Sequence, residues 1–134
     1  MRLSTRVRYG TRALCTLAER YPDKTVSLTV IAKHEGVSVK YLEQIMRPLR
    51  SASLVTAVAG AKGGYALARP PSKIRMSEVY EALEGVPELI SCASNSKCCE
   101  RANDCSTRPL WTSISQAIQK ELQRTRLSDL IKSS

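Results

Sequence analysis

Ser27-Leu-Thr-Val-Ile-Ala-Lys-His-Glu-Gly-Val-Ser-Val-Lys-Tyr-Leu-Glu-Gln-Ile-Met-Arg47 is the stretch that decides the fold. Ser27 can cap a short helix through its hydroxyl, and Leu28, Ile31 and Ala32 follow as its apolar residues. Gly36 ends that helix in the left-handed conformation that helix stops favour. Val37 turns inward, and Ser38 caps a second helix that buries Leu42, Ile45, Met46 and Leu49. Small Ala32 lets two helices cross closely, and the glycine four residues later makes the turn between them. This is the pattern of a helix-turn-helix. Two short helices of a generic bundle would share it, so the flanking sequence has to decide. Pro48 removes a backbone donor and crowds the Gln44 carbonyl, which predicts a kink or a restart there.

Upstream, Leu3, Val7, Gly10, Leu14 and Leu17 recur at three- and four-residue steps, so residues from about 4 to 20 read as an amphipathic helix. Arg8 and Arg12 share one face of it, beside Tyr9. Cys15, next to Leu14, reads as a small buried hydrophobe. Downstream, Leu54–Val58 and Tyr65–Ala68 have strand character and are joined by Ala59-Gly-Ala-Lys-Gly-Gly64. Three glycines in that connection suit a hairpin, and no Gly-Lys-Ser/Thr with a following helix makes it a phosphate loop. A hairpin directly after a helix-turn-helix is a wing.

Pro70-Pro71 closes the wing, and Ser77 begins a helix that Gly85 and Pro87 end. Near the end of the chain, Ser106 or Thr107 caps a long helix with Pro109 in its first turn. Its stripe is Leu110, Trp111, Ile114, Ala117, Ile118 and Leu122. Roughly 25 Å of helix is more than a small domain buries alone, so a second subunit is the expected cover, with Ile114 and Ile118 as central contacts. Thr125 or Ser128 begins a last short turn. The fold class is therefore mainly α with a small β-hairpin wing. The expected parts are a winged helix-turn-helix over residues 1–85, a cysteine-rich sensor loop over 86–107, and a dimerisation helix and tail over 108–134.

Charge divides the chain in the same way. The net charge is +9, with twelve Lys/Arg against four Asp/Glu in residues 1–70 and nine against eight in residues 71–134. A basic half joined to a nearly neutral one points to a polyanionic partner for the first half. The opening Met-Arg-Leu-Ser-Thr-Arg-Val-Arg is no signal peptide, and no apolar run approaches a membrane span. A cytoplasmic protein without a membrane partner is expected. Enzymatic chemistry finds no constellation, since there is one histidine, no paired acids in a recognisable motif and no nucleotide loop.

Four of the five cysteines, Cys92, Cys98, Cys99 and Cys105, fall within fourteen residues of polar sequence. Such a cluster means a disulfide framework, a metal site or a redox switch. A cytosolic setting disfavours permanent disulfides. Five residues separate Cys92 from Cys98, and five separate Cys99 from Cys105. Structural zinc pairs its cysteines more closely, whereas iron–sulfur clusters accept varied spacings. A thiol switch joining Cys98 or Cys99 to Cys92 or Cys105 is the cluster-free alternative. A small iron–sulfur electron carrier is a third, although it would have no use for a wing and a basic first half.

The opening Met1-Arg-Leu-Ser-Thr-Arg-Val-Arg-Tyr-Gly-Thr-Arg-Ala-Leu14, the segment Tyr41-Leu-Glu-Gln-Ile45, the wing Gly63-Gly-Tyr-Ala-Leu67 and the cysteine stretch together resemble the Rrf-type winged-helix regulators of bacteria. The resemblance spans nearly the whole chain. It implies a homodimer on palindromic double-stranded operators, with a [2Fe-2S] or [4Fe-4S] cluster held by three cysteines ahead of the long dimer helix. Cys92 and Cys105 match the first and last of those cysteines, and either Cys98 or Cys99 matches the middle one. Some members add a histidine three residues after the last cysteine, where this chain has Arg108. Others use an aspartate in the first helix, where it has Arg8. The spare cysteine, Glu100 and Asp104 are the remaining donors nearby.

A helix-turn-helix places the start of its second helix in the major groove. Ser38, Lys40, Tyr41, Glu43 and Gln44 occupy that start. Ser38 and Lys40 suit phosphates, Gln44 suits adenine, and Glu43 can accept from cytosine N4. Lys62 of the wing, Arg8 and Arg12 complete the expected DNA-binding set.

Overall fold

The structure, a computed structural model, describes residues 3–61, 63–85 and 106–132. Helix α1 (Thr5–Glu19) is capped by Ser4, whose hydroxyl accepts from the Val7 amide at 3.1 Å and donates to Glu84 at 2.8 Å. Helices α2 (Leu28–Glu35) and α3 (Val39–Ser51) open on Ser27 and Ser38, which accept from the Val30 and Tyr41 amides at 3.2 and 3.1 Å. Gly36 joins them at φ +69°, the left-handed turn expected of it.

Leu42, Ile45, Met46 and Leu49 of α3 are all fully buried. Removing each from water contributes on the order of 1.5–3 kcal/mol. The restart expected at Pro48 is absent, and α3 runs through it to Ser51. Pro48 has no amide to offer the Gln44 carbonyl, and the fully buried Met46 and Leu49 on either side of it hold the helix against the core.

Strands β1 (Val55–Val58) and β2 (Gly64–Leu67) pair antiparallel, with Val55 opposite Leu67 and Val58 opposite Gly64. The segment before α2 joins this ribbon, which the sequence did not signal. Val26 and Tyr65 exchange backbone bonds of 2.9 and 2.8 Å, tying the wing to the helix-turn-helix. Gly64 makes that approach possible: its φ is +152°, and a β-carbon there would run into the Val26 carbonyl.

A single 3-10 turn (Pro71–Lys73) leads to α4 (Met76–Glu84), followed after the undescribed segment by α5 (Arg108–Arg124) and α6 (Leu127–Lys132). Gly10 lets α1 lie close to α3 and α4, since a β-carbon at Gly10 would stand 3.2 Å from Ile45 Cγ2 and 2.7 Å from Leu83 Cδ1. The chain after α5 returns to the same core. The Met76 amide donates to the Thr125 carbonyl and the Leu127 amide to the Ile74 carbonyl, each at 2.9 Å, and Leu127 is fully buried. Among the described residues no helix is long and apolar enough to cross a membrane.

Arg69 closes the wing onto α4 with two bonds to Glu78, at 2.9 and 3.2 Å, and Glu78 also accepts from the Arg75 amide at 2.9 Å. Burial pushes the Glu78 carboxyl upward, but the bonds and charges of Arg69 and Arg75 outweigh it and hold the group below the ordinary carboxylate range. A depressed acid contributes stability above its unfolded value and loses it as pH falls through the folded one. Glu78→Gln should therefore lower the melting temperature by a few degrees at pH 7, a loss of under about 1 kcal/mol because the pair is partly solvated. Melting curves of the variant and the parent should converge below the usual carboxylate range. A gap that persists there would assign the loss to packing instead.

Candidate nucleic-acid interface

Because one stripe of α3 is sunk in the core, the opposite stripe is presented outward. Lys40, Glu43 and Gln44 are exposed there, as the sequence reading expected, and so is Arg47 one turn further on. Arg47 was not among the residues expected from the sequence, although the helical period from Lys40 and Glu43 supplies it. Ser38 caps the helix, so its oxygen is committed to the Tyr41 amide, while its hydroxyl hydrogen can still reach an acceptor. The amide-rich start of a helix is itself an anion-binding feature. Tyr41 is half-buried and meets Tyr9 of α1 edge-to-face, with centroids 6.1 Å apart and rings at 85°. It belongs partly to the packing of α3 against α1.

At the wing, Val58, Ala59, Gly60 and Ala61 are exposed. Lys62 lies outside the described residues. On α1, Arg12 pairs with Glu35 of α2, Nε to Oε2 at 2.7 Å, and its guanidinium carbon stands 5.8 Å over the Tyr9 ring. Arg8 is exposed and borders an apolar groove of about 480 Å³ shared by Leu3, Val7, Met76, Ile118 and Leu122. Ile118 thus faces α1 and α4 within its own chain. Leu110 and Ile114 of α5 remain 53% and 36% exposed, and Ser115 is the one fully buried residue of that helix.

Cys92, Cys98, Cys99 and Cys105 all lie outside the described residues. The remaining cysteine, Cys15, is half-buried on α1. Burial first, then the Glu19 and Glu35 carboxylates, push its thiol above the ordinary range, so it stays protonated at neutral pH and makes a poor metal ligand. His34 is exposed on α2, with Nδ1 3.2 Å from Glu35 Oε1. Among the described residues no group of three or more His, Cys, Asp or Glu is placed to hold a metal ion.

A helix-turn-helix with a wing, a polar and basic stripe on its second helix and a long, partly uncovered C-terminal helix is the geometry of a DNA-binding regulator. Known proteins agree with it. The family model for Rrf2, described as an iron-dependent transcriptional regulator, matches residues 3–133. The transcriptional regulator IscR of Cereibacter sphaeroides is 42% identical over 137 residues, covering 98% of this chain and 88% of the relative. The Rrf2 protein of Nitratidesulfovibrio vulgaris is 39% identical over 132 residues, covering 98% of this chain and 88% of that protein. Among solved structures, CymR, the global cysteine regulator of B. subtilis, superposes with a TM-score of 0.81 at 34% identity, covering 100% of this chain and 98% of that one. This chain belongs to the Rrf2 family of DNA-binding transcription regulators.

Proposed function

We propose that this regulator works as a homodimer on a palindromic operator, reads it with the outward stripe of α3, and is switched by an iron–sulfur cluster on its cysteine segment. The observation that carries the reading is the outward stripe Lys40, Glu43, Gln44 and Arg47, held rigid by the four fully buried residues on the other side of the same helix. Gln44 is suited to adenine and Glu43 to cytosine N4, while Ser38, Lys40 and Lys62 suit phosphate.

Dimerisation is supported by α5. Leu110 and Ile114, one turn apart, leave its first half with exposed apolar surface, on a helix whose second half packs towards α1 and α4. A second copy of the same helix is the simplest cover.

Four thiols within fourteen residues, spaced unlike a structural zinc site, are a donor set that fits an iron–sulfur cluster. Cys92, Cys105 and one of Cys98 and Cys99 would hold it, Cys98 being favoured because it keeps the family's first gap. Such a cluster would supply sensitivity to iron, redox or nitric oxide status. The segment carrying these thiols connects the end of α4 at Glu84 to the start of α5 at Arg108, and these two helices pack on each other. Tying its thiolates together bears on how α5 sits against α4, and so on the spacing of two reading heads. The family's description as an iron-dependent regulator supports an iron-containing group. The CymR likeness, with a Staphylococcus aureus CymR solved in an oxidized form, favours the second reading, a thiol switch on the same cysteines.

Lys40→Ala should weaken binding to all duplexes alike, whereas Gln44→Ala should reduce discrimination at one base pair per half-site by about 1–3 kcal/mol. Equal losses on operator and random DNA would remove Gln44 from base reading. Changing Leu110 and Ile114 together to Glu should convert the dimer to monomer in sedimentation, because the charges would be buried unpaired. A dimer that survives places the interface elsewhere. Protein made anaerobically with iron and sulfide should be brown, and Cys92→Ala or Cys105→Ala should abolish the colour while Cys15→Ala leaves it. Colourless, metal-free protein would move the function to the thiol switch.

A further inference from the structure

Glu35 is the last residue of α2, and its side chain is 3% exposed. Two effects oppose a carboxylate in that place. Burial strips it of water, and the C-terminal end of a helix already carries partial negative charge. The compensating charge comes from another element. Arg12 of α1 brings Nε to 2.7 Å from Oε2, although without the alignment of a hydrogen bond. The second oxygen, Oε1, faces His34 Nδ1 at 3.2 Å, on a side chain that is 72% exposed. Arg12 also caps the Tyr9 ring at 5.8 Å, and Tyr9 meets Tyr41 of α3 edge-to-face. One guanidinium therefore touches α2 through charge and reaches α3 through a pair of rings.

We infer that Arg12 and Glu35 are positioning residues that set the reading angle of α3, and that Arg12 does not serve as a phosphate contact. Tyr41 is the third residue of α3, directly after Lys40 and one turn before Gln44. A rotation of α3 about the Tyr9 contact carries both of those side chains with it. The ion pair resists sliding of α2 along α1, and the cation over Tyr9 holds the ring against which Tyr41 rests. Arg12 also borders the groove lined by Ile118 and Leu122 of α5, so a change at α5 meets the same side chain that holds the reading helices. This role needs only the DNA binding that belongs to the family and is independent of any cluster.

The two roles of Arg12 predict opposite signs at Glu35. Wild type, Arg12→Gln, Glu35→Gln and the double variant are titrated against two duplexes at several salt concentrations. One duplex is enriched from a random library by the wild-type protein, and the other is a random sequence of equal length. As positioning residues, Arg12 and Glu35 each lose about tenfold on the enriched duplex when changed to Gln, with little effect on the random one. The slope of log affinity against log salt then stays unchanged, and the double variant is no worse than either single one. As a phosphate contact, Arg12 would instead weaken both duplexes alike and flatten the slope by about 0.9. Glu35→Gln would then tighten binding by removing a negative charge near DNA. Either of those results overturns the proposal. If Glu35→Gln loses its helical circular dichroism, Arg12→Gln decides alone, because that side chain is 59% exposed and its replacement leaves the core intact.

Discussion

What the molecule presents to DNA depends on the burial of one stripe of α3. Leu42, Ile45, Met46 and Leu49 are sealed in the core against α1 and α4, and this fixes which side chains of the helix face outward. With a helical period of about 3.6 residues, burying that stripe forces Lys40, Glu43, Gln44 and Arg47 onto the opposite side. A change in the core stripe is therefore also a change in aim. The wing obeys the same constraint, since its strands are held through Leu54, Val55 and Leu67 in one core and through the Val26–Tyr65 bridge to the segment that starts α2.

Much of this architecture is local in origin and was legible in the chain. Ser27 and Ser38 mark two helix starts, Gly36 marks the turn, and the glycines of residues 59–64 mark the wing, because caps and turns are decided within three or four residues. What escaped the sequence joins residues far apart. The Val26–Tyr65 bridge, the Arg12–Glu35 pair and the return of Leu127 to the core each link residues of different elements, beyond the reach of a cap or a turn. No periodicity announces such contacts. The restart at Pro48 failed to appear for a different reason: the fully buried Met46 and Leu49 beside it anchor α3 to the core and outweigh the lost backbone bond.

The candidate site divides along the same line. The exposure of Ser38, Lys40, Glu43 and Gln44 was legible in the helix-turn-helix pattern, and that of Arg47 follows from the same period. Arg12 looked like a free basic residue beside Arg8, because nothing in one sequence shows that Glu35 will be buried against it. The apolar stripe of α5 was also read correctly as a stripe, but the fold shares it between two tasks. Ile118 and Leu122 line a groove with α1 and α4, while Leu110 and Ile114 stay outward. In the proposed function, this helix, packed on its own domain at one end and apolar at the other, would link assembly to the DNA-facing side.

The central claim is that the first turns of α3 and the wing tip meet DNA while α5 does not. Hydrogen–deuterium exchange of the protein with and without an enriched duplex tests this most directly, because first-turn amides of a helix lack helical acceptors and exchange readily until covered. New protection should concentrate over residues 38–47 and around the wing tip near residues 58–61, with α5 unchanged. Protection centred on α5, or spread evenly with none at the start of α3, would contradict the account.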